Sequence, residues 1–416
     1  MTDPMVAVAP VPVGERVAKV TLNVLYLAHD LSDAAIRRRV LMLRQGGARV
    51  TVAGFQRADN RLADDPDLVT IRLGQTSDGR LSQRAVAVAK AAATLRTRLT
   101  GIAAPDVILA RNLEMLVVAK RAARLFSSRP AVVYECLDIH RLLLDDGLKG
   151  RAFRRAEAYF GRNAQLLITS SPAFINHYFA RRSGLALSTM LVENKVLELD
   201  DALPRARPRR TPPAPGEPWR IGWFGALRCR KSLAILIDFA ARMQGGVEIV
   251  LRGRPARREF DDFDGQVEAA LHVVYHGPYR NPEDLADIYA QVHFVWAIDF
   301  FEEGLNSQWL LPNRLYEGAL HGAVPIALAA TETGRFLDSL DIGLTLASAT
   351  ADALQRQFQD MDDDRYTQLV TQLFATERSR WTTGPQECRA LVERLAATTT
   401  AMQAQRASPA ASPVRS

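Results

Sequence analysis

The chain has 416 residues, 48% of them apolar and 24% charged, and a net charge of +7. It is too long for one ordinary core and suits two domains, and the lack of an apolar run of about 18 residues predicts no transmembrane helix. Residues 1–200 hold 29 Lys and Arg against 19 Asp and Glu, whereas residues 221–416 hold 19 against 25. A basic first half either meets an anionic partner or is a solvated, arginine-rich surface.

The start of the chain lacks the order of basic residues, apolar core and small-residue cleavage site that a signal peptide has. We therefore expect a cytoplasmic protein. Cys136, Cys229 and Cys388 are odd in number and far apart, so they predict neither a set of disulfides nor a metal-binding motif.

Short apolar runs, typical of buried parallel strands, alternate with helical patterns through the first half. Strands are predicted at Leu22–Ala28, Val50–Gly54, Asp106–Ala110, Ala131–Glu135 and Gln165–Ser170, and helices at Ala35–Gln45, Leu81–Ile102, Leu116–Leu125 and around Phe153–Phe160. Gly46 and Gly47 are expected to end the first helix, because glycine adopts the left-handed cap conformation at little cost. The order strand, helix, strand predicts right-handed βαβ units in a parallel sheet.

A second alternation follows a segment that cannot join a core. Residues Pro204–Pro218 hold six prolines and four arginines, which indicates a linker. Beyond it, strands are predicted at Trp219–Phe224, Val247–Arg252, His272–Tyr275, His293–Ile298 and Ala323–Leu328, and helices at Lys231–Met243, Pro282–Ala290, Asn313–His321, Asp363–Phe374 and Pro385–Thr398.

These patterns predict an α/β protein with two Rossmann-like parallel-sheet domains that face each other across a cleft. The predicted parts are a disordered N-terminus at 1–19, an N-terminal domain at 20–202, a linker at 203–218, a C-terminal domain at 219–384, a helix at 385–402 that can cross back to the N-terminal domain, and a disordered tail at 403–416. In such sheets ligands bind at the carboxyl ends of the strands.

The turn after the first strand of the second domain is rich in positive charge. Gly225 lets the backbone approach a ligand closely, and Arg228, Arg230 and Lys231 stand at the start of the next helix. A helix N-terminus and three cations can hold a diphosphate, although an arginine-rich surface loop has the same composition. The turn is neither a GxGxxG fingerprint nor a P-loop, which argues against a dehydrogenase.

A polar loop from Asn306 leads into a helix at Pro312-Asn313, and Glu317 lies one turn inside that helix. A carboxylate there can accept two hydrogen bonds from adjacent hydroxyls, as an acidic residue does when it binds a ribose. The alternative is a solvated helix carboxylate, which the apolar flanking sequence disfavours.

The stretch from Glu317 to Ile326, Glu-Gly-x-x-x-Gly-x-Val-Pro-Ile, resembles the donor-site signature of the family-4-like retaining glycosyltransferases, which have the GT-B fold. Gly225-Ala226-Leu227 with Lys231, and His276-Gly277-Pro278, look like that family as well. The resemblance extends over residues 20–400. It implies a metal-independent hexosyltransferase of polysaccharide or lipid-linked saccharide biosynthesis, with an acceptor-binding N-terminal domain and a donor-binding C-terminal domain.

The resemblance also implies roles for single residues. The donor-binding set is Gly225, Arg228, Arg230, Lys231, His276, Gly277, Asn306, Ser307, Asn313, Arg314 and Glu317, with cations on the diphosphate, Glu317 on the ribose and His276 with Gly277 near the base. Asp138 and His140 follow a strand at the place where the family often has a histidine close to the sugar. Asp30 lies on the first loop, between His29 and Asp33. His140, Asp138 and Asp30 are therefore the predicted catalytic residues.

Two positions depart from the family. It usually has two glutamates with seven residues between them, and Trp309 stands at the first of these positions. Its arginine directly after the glycine is Ala226 here. Either Asn306, Ser307 and Arg228 take over the contacts with the donor sugar, or catalysis is weakened.

Three Asp-x-Asp pairs, at Asp65/Asp67, Asp262/Asp264 and Asp362/Asp364, stand in acidic polar stretches and are expected on the solvated surface. No metal site and no cofactor are predicted, with the nucleotide diphosphate sugar as co-substrate.

The helix at Leu81–Ile102 has basic residues beside its apolar stripe. It either packs on its own sheet with a basic outer face or lies against anionic lipid at the inner face of the plasma membrane. Similar enzymes often extend lipid-linked saccharides of cell-surface polysaccharides, which favours a saccharide or lipid-linked acceptor.

A sugar-nucleotide epimerase of the same fold and a non-catalytic GT-B-like binding protein stay as alternatives. Nucleic acid is not an expected partner, because the basic half lacks interleaved aromatic residues and any recognition motif.

Overall fold

A computed structural model describes residues 21–56, 68–76, 81–199 and 210–407 of the chain. The predicted disordered N-terminus at 1–19, residues 203–209 of the predicted linker, the Asp65/Asp67 pair and residues 408–416 of the predicted tail lie outside these ranges.

The first half forms a parallel sheet with helices on both faces. Its strands are β1 (Asn23–Ala28), β2 (Arg49–Gln56), β3 (Val69–Gln75), β4 (Val107–Arg111), β5 (Ala131–Cys136), β6 (Leu166–Thr169) and β7 (Thr189–Leu191), followed by the short β8 (Val196–Leu197). Its helices are α1 (Ala34–Gln45), α2 (Leu81–Arg98), α3 (Asn112–Ala122), α4 (Arg141–Leu144) and α5 (Leu148–Gly161), and a π-helical segment spans Phe174–Phe179. The strand order is β3-β2-β1-β4-β5-β6-β7.

The second half repeats this architecture. Its strands are β9 (Trp219–Leu227), β10 (Val247–Pro255), β11 (Val273–Tyr275), β12 (Phe294–Trp296), β13 (Val324–Leu328), β14 (Leu344–Leu346) and β15 (Thr382–Thr383). Its helices are α6 (Arg230–Arg242), α7 (Phe263–Ala269), α8 (Leu285–Ala290), α9 (Asn313–Leu320), α10 (Glu332–Leu340), α11 (Ala351–Gln359), α12 (Asp363–Ala375) and α13 (Pro385–Ala407). The strand order is β11-β10-β9-β12-β13-β14, and all the strand pairs are parallel. The predicted α/β class with two parallel-sheet domains is confirmed.

Alternate residues of β1 explain why its sequence is apolar throughout. Leu25 and Leu27 pack into the core on one face of the sheet, while Val24 and Tyr26 pack into the core on the other. Because successive side chains of a strand point to opposite faces, a sheet covered on both sides needs an unbroken apolar run.

The last helix, α13, packs on the N-terminal sheet. Leu391 and Leu395 are fully buried in the core beside α1. Gly46, at the end of α1, has a right-handed backbone, and a Cβ there would collide with the carbonyl oxygen of Cys388. Close helix packing therefore explains Gly46, while Gly47, with φ of 94°, takes the expected left-handed conformation.

Several boundaries differ from the predictions. The helix predicted at Leu116–Leu125 is α3, which begins four residues earlier at Asn112, and the helix predicted at Leu81–Ile102 is α2, which ends at Arg98. The helix α13 continues to Ala407, into the predicted disordered tail. The elements that were not predicted are β3, β7, β8, β14, β15, α4, α7, α10 and α11.

Part of the predicted linker is anchored on the second half. Arg210 donates hydrogen bonds to the carbonyl oxygens of Tyr289, Ala290 and His321, at 2.6, 2.9 and 3.0 Å. Arginine can satisfy the carbonyl groups at two helix ends at once, because its guanidinium carries five donors.

Across the described ranges, none of the helices combines the length and the apolarity needed to cross a membrane.

Candidate active site at the cleft between the sheets

The cationic turn lies between β9 and α6. Gly225, in the last part of β9, has φ of 106°, and a Cβ on Gly253 of the neighbouring strand would collide with the Gly225 carbonyl. The Cys229 sulfur accepts a hydrogen bond from the backbone N–H of Ser232 at 3.3 Å, and so it caps the helix N-terminus. The turn therefore leads directly from the strand into the start of a 13-residue helix.

Two of the three predicted cations face one acidic loop, which runs from Asp299 to Glu303. Lys231 Nζ lies 2.5 Å from the Glu303 carboxylate, and Arg228 Nη2 lies 3.8 Å from that of Asp299. Arg228 also covers the ring of Phe301, with 4.5 Å between the guanidinium carbon and the ring centre. The sequence analysis did not identify this loop.

Arg230 does not join this group. Its guanidinium lies 3.3 Å from the carboxylate of Asp261 and donates to the carbonyl oxygen of Glu259 at 3.2 Å. Its side chain stands on the first turn of α6, where neighbouring positions point in different directions around the helix. Arg228 and Lys231 therefore face the acidic loop, whereas Arg230 points to Asp261.

Glu317 is a buried carboxylate on α9. It accepts hydrogen bonds from Asn281 Nδ2 at 2.9 Å and from the Tyr289 hydroxyl at 3.1 Å. Burial raises the pKa of Glu317, and these two hydrogen bonds oppose the shift. The prediction placed Glu317 on a half-buried helix, but neither partner was identified.

Arg314 connects α9 to the cationic turn. It lies one turn before Glu317 on the helix, and its guanidinium is 3.8 Å from the same Asp299 carboxylate that Arg228 faces. It also donates to the Ile298 carbonyl oxygen at 2.8 Å. The turn at 228–231 and the helix that carries Glu317 thus meet at Asp299. Asn313, at the first position of α9, is exposed.

Asn306 and Ser307 bind the acidic loop and the opposite domain. Asn306 donates a hydrogen bond to the carboxylate of Asp138 and accepts one from the backbone N–H of Ile139 at 3.4 Å. Ser307 accepts a hydrogen bond from the backbone N–H of Glu302 at 2.9 Å and donates one to Asp299 at 3.3 Å. In this structure both residues therefore shape the cleft.

His276 and Gly277 follow β11. The His276 N–H donates to the Leu251 carbonyl at 3.0 Å, and the Gly277 carbonyl accepts from the Gly253 N–H at 2.9 Å. Burial lowers the pKa of His276, as does the nearby charge of Arg252. These two residues extend the ladder beside β10, at the carboxyl end of the sheet.

On the N-terminal side, Asp138 and His140 follow β5. Burial raises the pKa of Asp138, against the effect of the Arg228 charge. The His140 ring accepts a hydrogen bond from the backbone N–H of Leu142 at 3.3 Å and so caps α4, and burial lowers its pKa. Asp30 accepts from the N–H and hydroxyl of Ser32, at 3.0 and 2.7 Å.

A cavity of about 610 Å³ opens between α2, α3 and α5 and reaches the cleft. Its walls are apolar, with Val88, Leu113, Val117, Leu143, Phe153 and Phe160 among the lining residues. Its polar lining comes from His29, Arg84, Asn112, Glu114, Asp138, His140 and Glu302, so that Asp138 and His140 lie together and Asp30 is not part of the wall.

Glu302 reaches this cavity from the C-terminal half, and no sequence pattern pointed to it. Burial raises the pKa of its carboxyl to about 7, as does the negative charge of Asp138, while Arg228 opposes the shift. An acidic pair in a loop carries no sequence signal of such an environment, because the burial comes from the other domain.

A buried ion network supports the first loop of the cleft. Glu135 binds Arg39 Nε at 2.5 Å and Arg111 Nη1 at 3.2 Å, and accepts a hydrogen bond from Tyr26. Burial alone would raise the pKa of Glu135, but the two arginines outweigh it and the pKa is lowered. Arg111 also lies 3.7 Å from Asp33, which holds the loop that carries His29.

Trp309, where the family would have its first glutamate, is a contact between the two halves. Its ring stacks on His177, with 5.6 Å between ring centres, and its carbonyl oxygen accepts a hydrogen bond from Ser171. Asn194 also donates to the Leu311 carbonyl at 3.0 Å. The loop between the acidic residues and α9 is thus docked on the N-terminal half.

Among the described residues, no group of three His, Cys, Asp or Glu side chains is arranged to hold a metal ion. Asp262 and Asp362 cap the helices α7 and α12, and Asp264 pairs with Arg257 at 2.8 Å. The two Asp-x-Asp pairs in the described ranges therefore act in capping and surface pairing.

No protein-family model matches the chain. The succinoglycan biosynthesis protein ExoL of Rhizobium meliloti (strain 1021) is 54% identical over 380 residues, which cover 91% of this chain and 94% of that protein.

Solved structures share the fold at low identity. Sucrose-phosphate synthase from Thermosynechococcus elongatus has a TM-score of 0.63 at 15% identity, over 92% of this chain and 98% of that one. HepE of Anabaena, solved with UDP-glucose, has a TM-score of 0.60 at 18% identity, over 91% and 100%. WaaG, a glycosyltransferase involved in lipopolysaccharide biosynthesis, has a TM-score of 0.57 at 12% identity, over 89% and 99%.

Proposed function

This chain belongs to the family of the succinoglycan biosynthesis protein ExoL, as a GT-B glycosyltransferase of cell-surface polysaccharide biosynthesis, and on this premise we propose that its cleft moves a hexosyl group from a nucleoside diphosphate to a saccharide or lipid-linked saccharide. One observation carries the proposal. Arg228 and Arg314 face the same carboxylate of Asp299, and Asn306 joins this loop to Asp138 of the other domain.

The donor diphosphate takes the place of carboxylates that already neutralise the cations. Lys231 is held by Glu303 at 2.5 Å, and both side chains are about half exposed, so that a phosphate can replace this surface ion pair at little cost. The N-terminus of α6 adds backbone N–H groups and the positive end of the helix dipole. HepE, with the same fold, was solved with UDP-glucose, which supports a uridine nucleotide as the first donor to test.

Glu317 is assigned to the ribose. Its carboxylate is fixed by Asn281 and Tyr289, and it lies one helical turn from Arg314. A carboxylate held in this way keeps one orientation, so that a ribose hydroxyl gains a hydrogen bond without reordering the site.

During transfer, negative charge grows on the leaving diphosphate while the sugar becomes positively charged. Cations held in place by the fold stabilise that charge without reorganising, and removal of one such group costs about 3 kcal/mol of transition-state stabilisation. This role is assigned to Lys231 and Arg228, so no step requires a metal. Retention of the anomeric configuration is proposed from the family resemblance.

The acceptor is assigned to the cavity beside Asp138, His140 and Glu302. These polar groups line the cavity together with apolar residues of α2, α3 and α5. A hydroxyl of a saccharide suits the polar groups, and an apolar body suits the apolar walls, which favours a lipid-linked acceptor. The surplus of basic residues in the first 200 positions supports peripheral contact with an anionic membrane.

A matched pair of variants in the cationic turn tests this function. Nucleotide sugars that raise the melting temperature are identified first, and transfer to membrane extracts is then measured. Lys231→Ala is expected to lower kcat/KM roughly a hundredfold. Arg230→Ala removes the adjacent cation, which faces Asp261, and is expected to change kcat/KM by less than about threefold.

Three other outcomes would point away from the proposal. Equal and full activity of Lys231→Ala and Glu317→Ala would remove the donor site from this cleft. An isomerised sugar nucleotide without transfer would identify an epimerase. Tight nucleotide binding without turnover would identify a non-catalytic binding protein.

A further inference from the structure

A second cavity, of about 550 Å³, opens at the amino ends of the N-terminal strands, where β5 and β6 begin, opposite the end that faces the cleft. The strand β5 spans five residue steps from Ala131 to Cys136, which puts this cavity roughly 17 Å from the cleft. Phe160 lines both cavities, so they are neighbours along α3 and α5. Nothing in the proposed transfer reaction uses this second cavity.

Among the described residues, its lining contains four cations and no carboxylate. The cations are Lys120, Arg124, Arg129 and Arg162, and the remaining lining consists of Ala123, Pro130, Val132, Phe160, Asn163, Ala164, Gln165 and Met402. Met402 comes from α13, so the pocket is completed by the end of the chain. A cluster of cations with amide donors is a strong match for an anion.

Two of these cations, Lys120 and Arg162, lie against an aromatic ring. Lys120 Nζ lies 3.5 Å from the centre of the Tyr159 ring, and the Arg162 guanidinium carbon lies 4.8 Å from the same centre. Within the described part of the chain, Lys120, Arg124 and Arg162 form no ion pair with a carboxylate. A ring attracts both charges but leaves their positive potential in place for a ligand.

Helix ends offer a simpler reason for basic residues here, since α3 and α5 both end at this edge and cations stabilise helix C-termini. Arg121, in the last turn of α3, can stabilise that helix end equally well, yet it does not line the cavity. The specific feature is the convergence of cations from both helices and from the residue before Pro130 on one concave volume.

We propose that this cavity is a second binding site, for a phosphate ester with a partly apolar body. Guanidinium groups and amides match phosphate oxygens, and the volume is within the range of small-molecule sites, ~300–1,000 Å³, so it exceeds the needs of a phosphate alone. Phe160, Val132 and Met402 provide surface for the apolar part. The ester is either the headgroup of an anionic phospholipid or a soluble metabolite.

Two double variants of the full chain test the site. Arg124→Gln/Arg162→Gln removes two cations of the cavity, and Arg121→Gln/Arg155→Gln removes two exposed cations of the same helices that do not line it. All four side chains are exposed, so both proteins are expected to fold, which thermal unfolding checks.

Binding is measured at low ionic strength with two probes. The soluble probe is sn-glycerol 3-phosphate, followed by calorimetry, and the lipid probe is phosphatidylglycerol in phosphatidylcholine vesicles, compared with pure phosphatidylcholine vesicles. Loss of both cavity arginines is expected to weaken binding about thirtyfold, at about 1 kcal/mol for each cation near an anionic surface. The control pair is expected to bind as the unmodified chain does.

The two probes separate the two sources of phosphate. Binding of glycerol 3-phosphate that the cavity variant loses identifies a soluble ester, and loss confined to phosphatidylglycerol vesicles identifies a lipid headgroup. The proposal is overturned if the unmodified chain binds neither probe, or if the control pair weakens binding as much as the cavity pair does.

Discussion

Glu302 carries the most specific chemistry at the level of single residues. Its carboxyl, with a pKa raised to about 7 by burial and by Asp138, lines the proposed acceptor cavity from the opposite domain. It therefore changes charge near neutral pH. An ionised carboxylate accepts a hydrogen bond from an acceptor hydroxyl more strongly than a protonated one does.

Glu302→Gln is expected to remove one ionisation from the pH profile of kcat/KM. In the unmodified enzyme we expect kcat/KM to rise as the pH passes about 7, because the ionised Glu302 carboxylate accepts the hydrogen bond from the substrate hydroxyl more strongly. The variant is expected to lack this rise. At about pH 8 its kcat/KM is expected to be at least roughly tenfold lower. Glu303→Gln, which changes the carboxylate that faces Lys231, should keep the rise, and a rise that persists in Glu302→Gln would contradict the assignment.

Sequence patterns identified residues whose chemistry is local, and missed those whose chemistry depends on distant partners. Gly225 and Lys231 stand near a strand end and a helix start, and Glu317 stands one turn inside a helix, at positions that the pattern of apolar runs locates. Asp299 and Glu302 lie in a loop without periodicity. Their surroundings include Asp138, more than 160 positions earlier, which no local pattern can indicate.

At the scale of elements, α5 is fixed to the sheet by one buried carboxylate. Glu157 accepts a hydrogen bond from Tyr134 of β5 at 2.7 Å and another from Tyr178 of the π-helical segment. Burial raises the pKa of Glu157 to about 7, against these hydrogen bonds. The same helix lines both cavities, so its position matters to each.

Replacement of Glu157 by Gln should alter how stability depends on pH. A carboxyl whose pKa is raised on folding makes the folded state bind more protons, so its contribution to stability falls between about pH 4.5 and pH 7 and stays low above. Relative to Glu157→Gln, the unmodified chain is expected to lose roughly 3 kcal/mol of unfolding free energy over this range.

Denaturant unfolding from about pH 4.5 to about pH 8 measures this difference. Glu393→Gln, which changes an exposed carboxyl on α13, serves as the control and should follow the unmodified chain. Parallel pH curves for Glu157→Gln and the unmodified chain would show that Glu157 does not titrate in this range.

Elements with a long apolar stripe or run were predictable, and their ends were not. The helix α3 begins at Asn112, directly after β4 and with φ of 67°, because the strand turns into the helix without a connecting loop. Short strands such as β14 and β15 have too few residues to show a period, and they form because a neighbouring strand provides hydrogen-bond partners.

At the scale of the molecule, the two domains are joined by more than the chain between them. The strand β15 pairs with β8, and α13 then packs into the core of the N-terminal sheet. The predicted α/β class and GT-B family follow from the order of elements and one motif. How far α13 is buried in the N-terminal core depends on its packing against α1, which the sequence of α13 alone does not show.

Leu391→Ala should report whether the domains unfold together. Leu391 is fully buried on the N-terminal sheet, so its truncation is expected to cost about 2–5 kcal/mol. Four of the five tryptophans, Trp219, Trp223, Trp296 and Trp381, lie in cores of the C-terminal half, and so the fluorescence mainly follows that half. We expect the fluorescence transition to move to lower denaturant in Leu391→Ala, because the domains form one cooperative unit.

Glu393→Ala, at an exposed position on the same helix, is the matched control and should leave that transition in place. If Leu391→Ala left the tryptophan transition unchanged while circular dichroism detected a separate earlier loss of structure, the domains would unfold independently.

The placement of α13 also sets the order of events during synthesis. Part of the wall that covers one face of β1 and β4 comes from residues near position 391, which are synthesised about 200 residues after the last strand of the N-terminal sheet. At ~5–20 residues per second, the N-terminal sheet waits roughly 10–40 s with part of that face uncovered while the rest of the chain is made. A nascent chain of this protein is therefore a natural client for chaperones that cover apolar strands, and truncation before α13 leaves that surface open permanently.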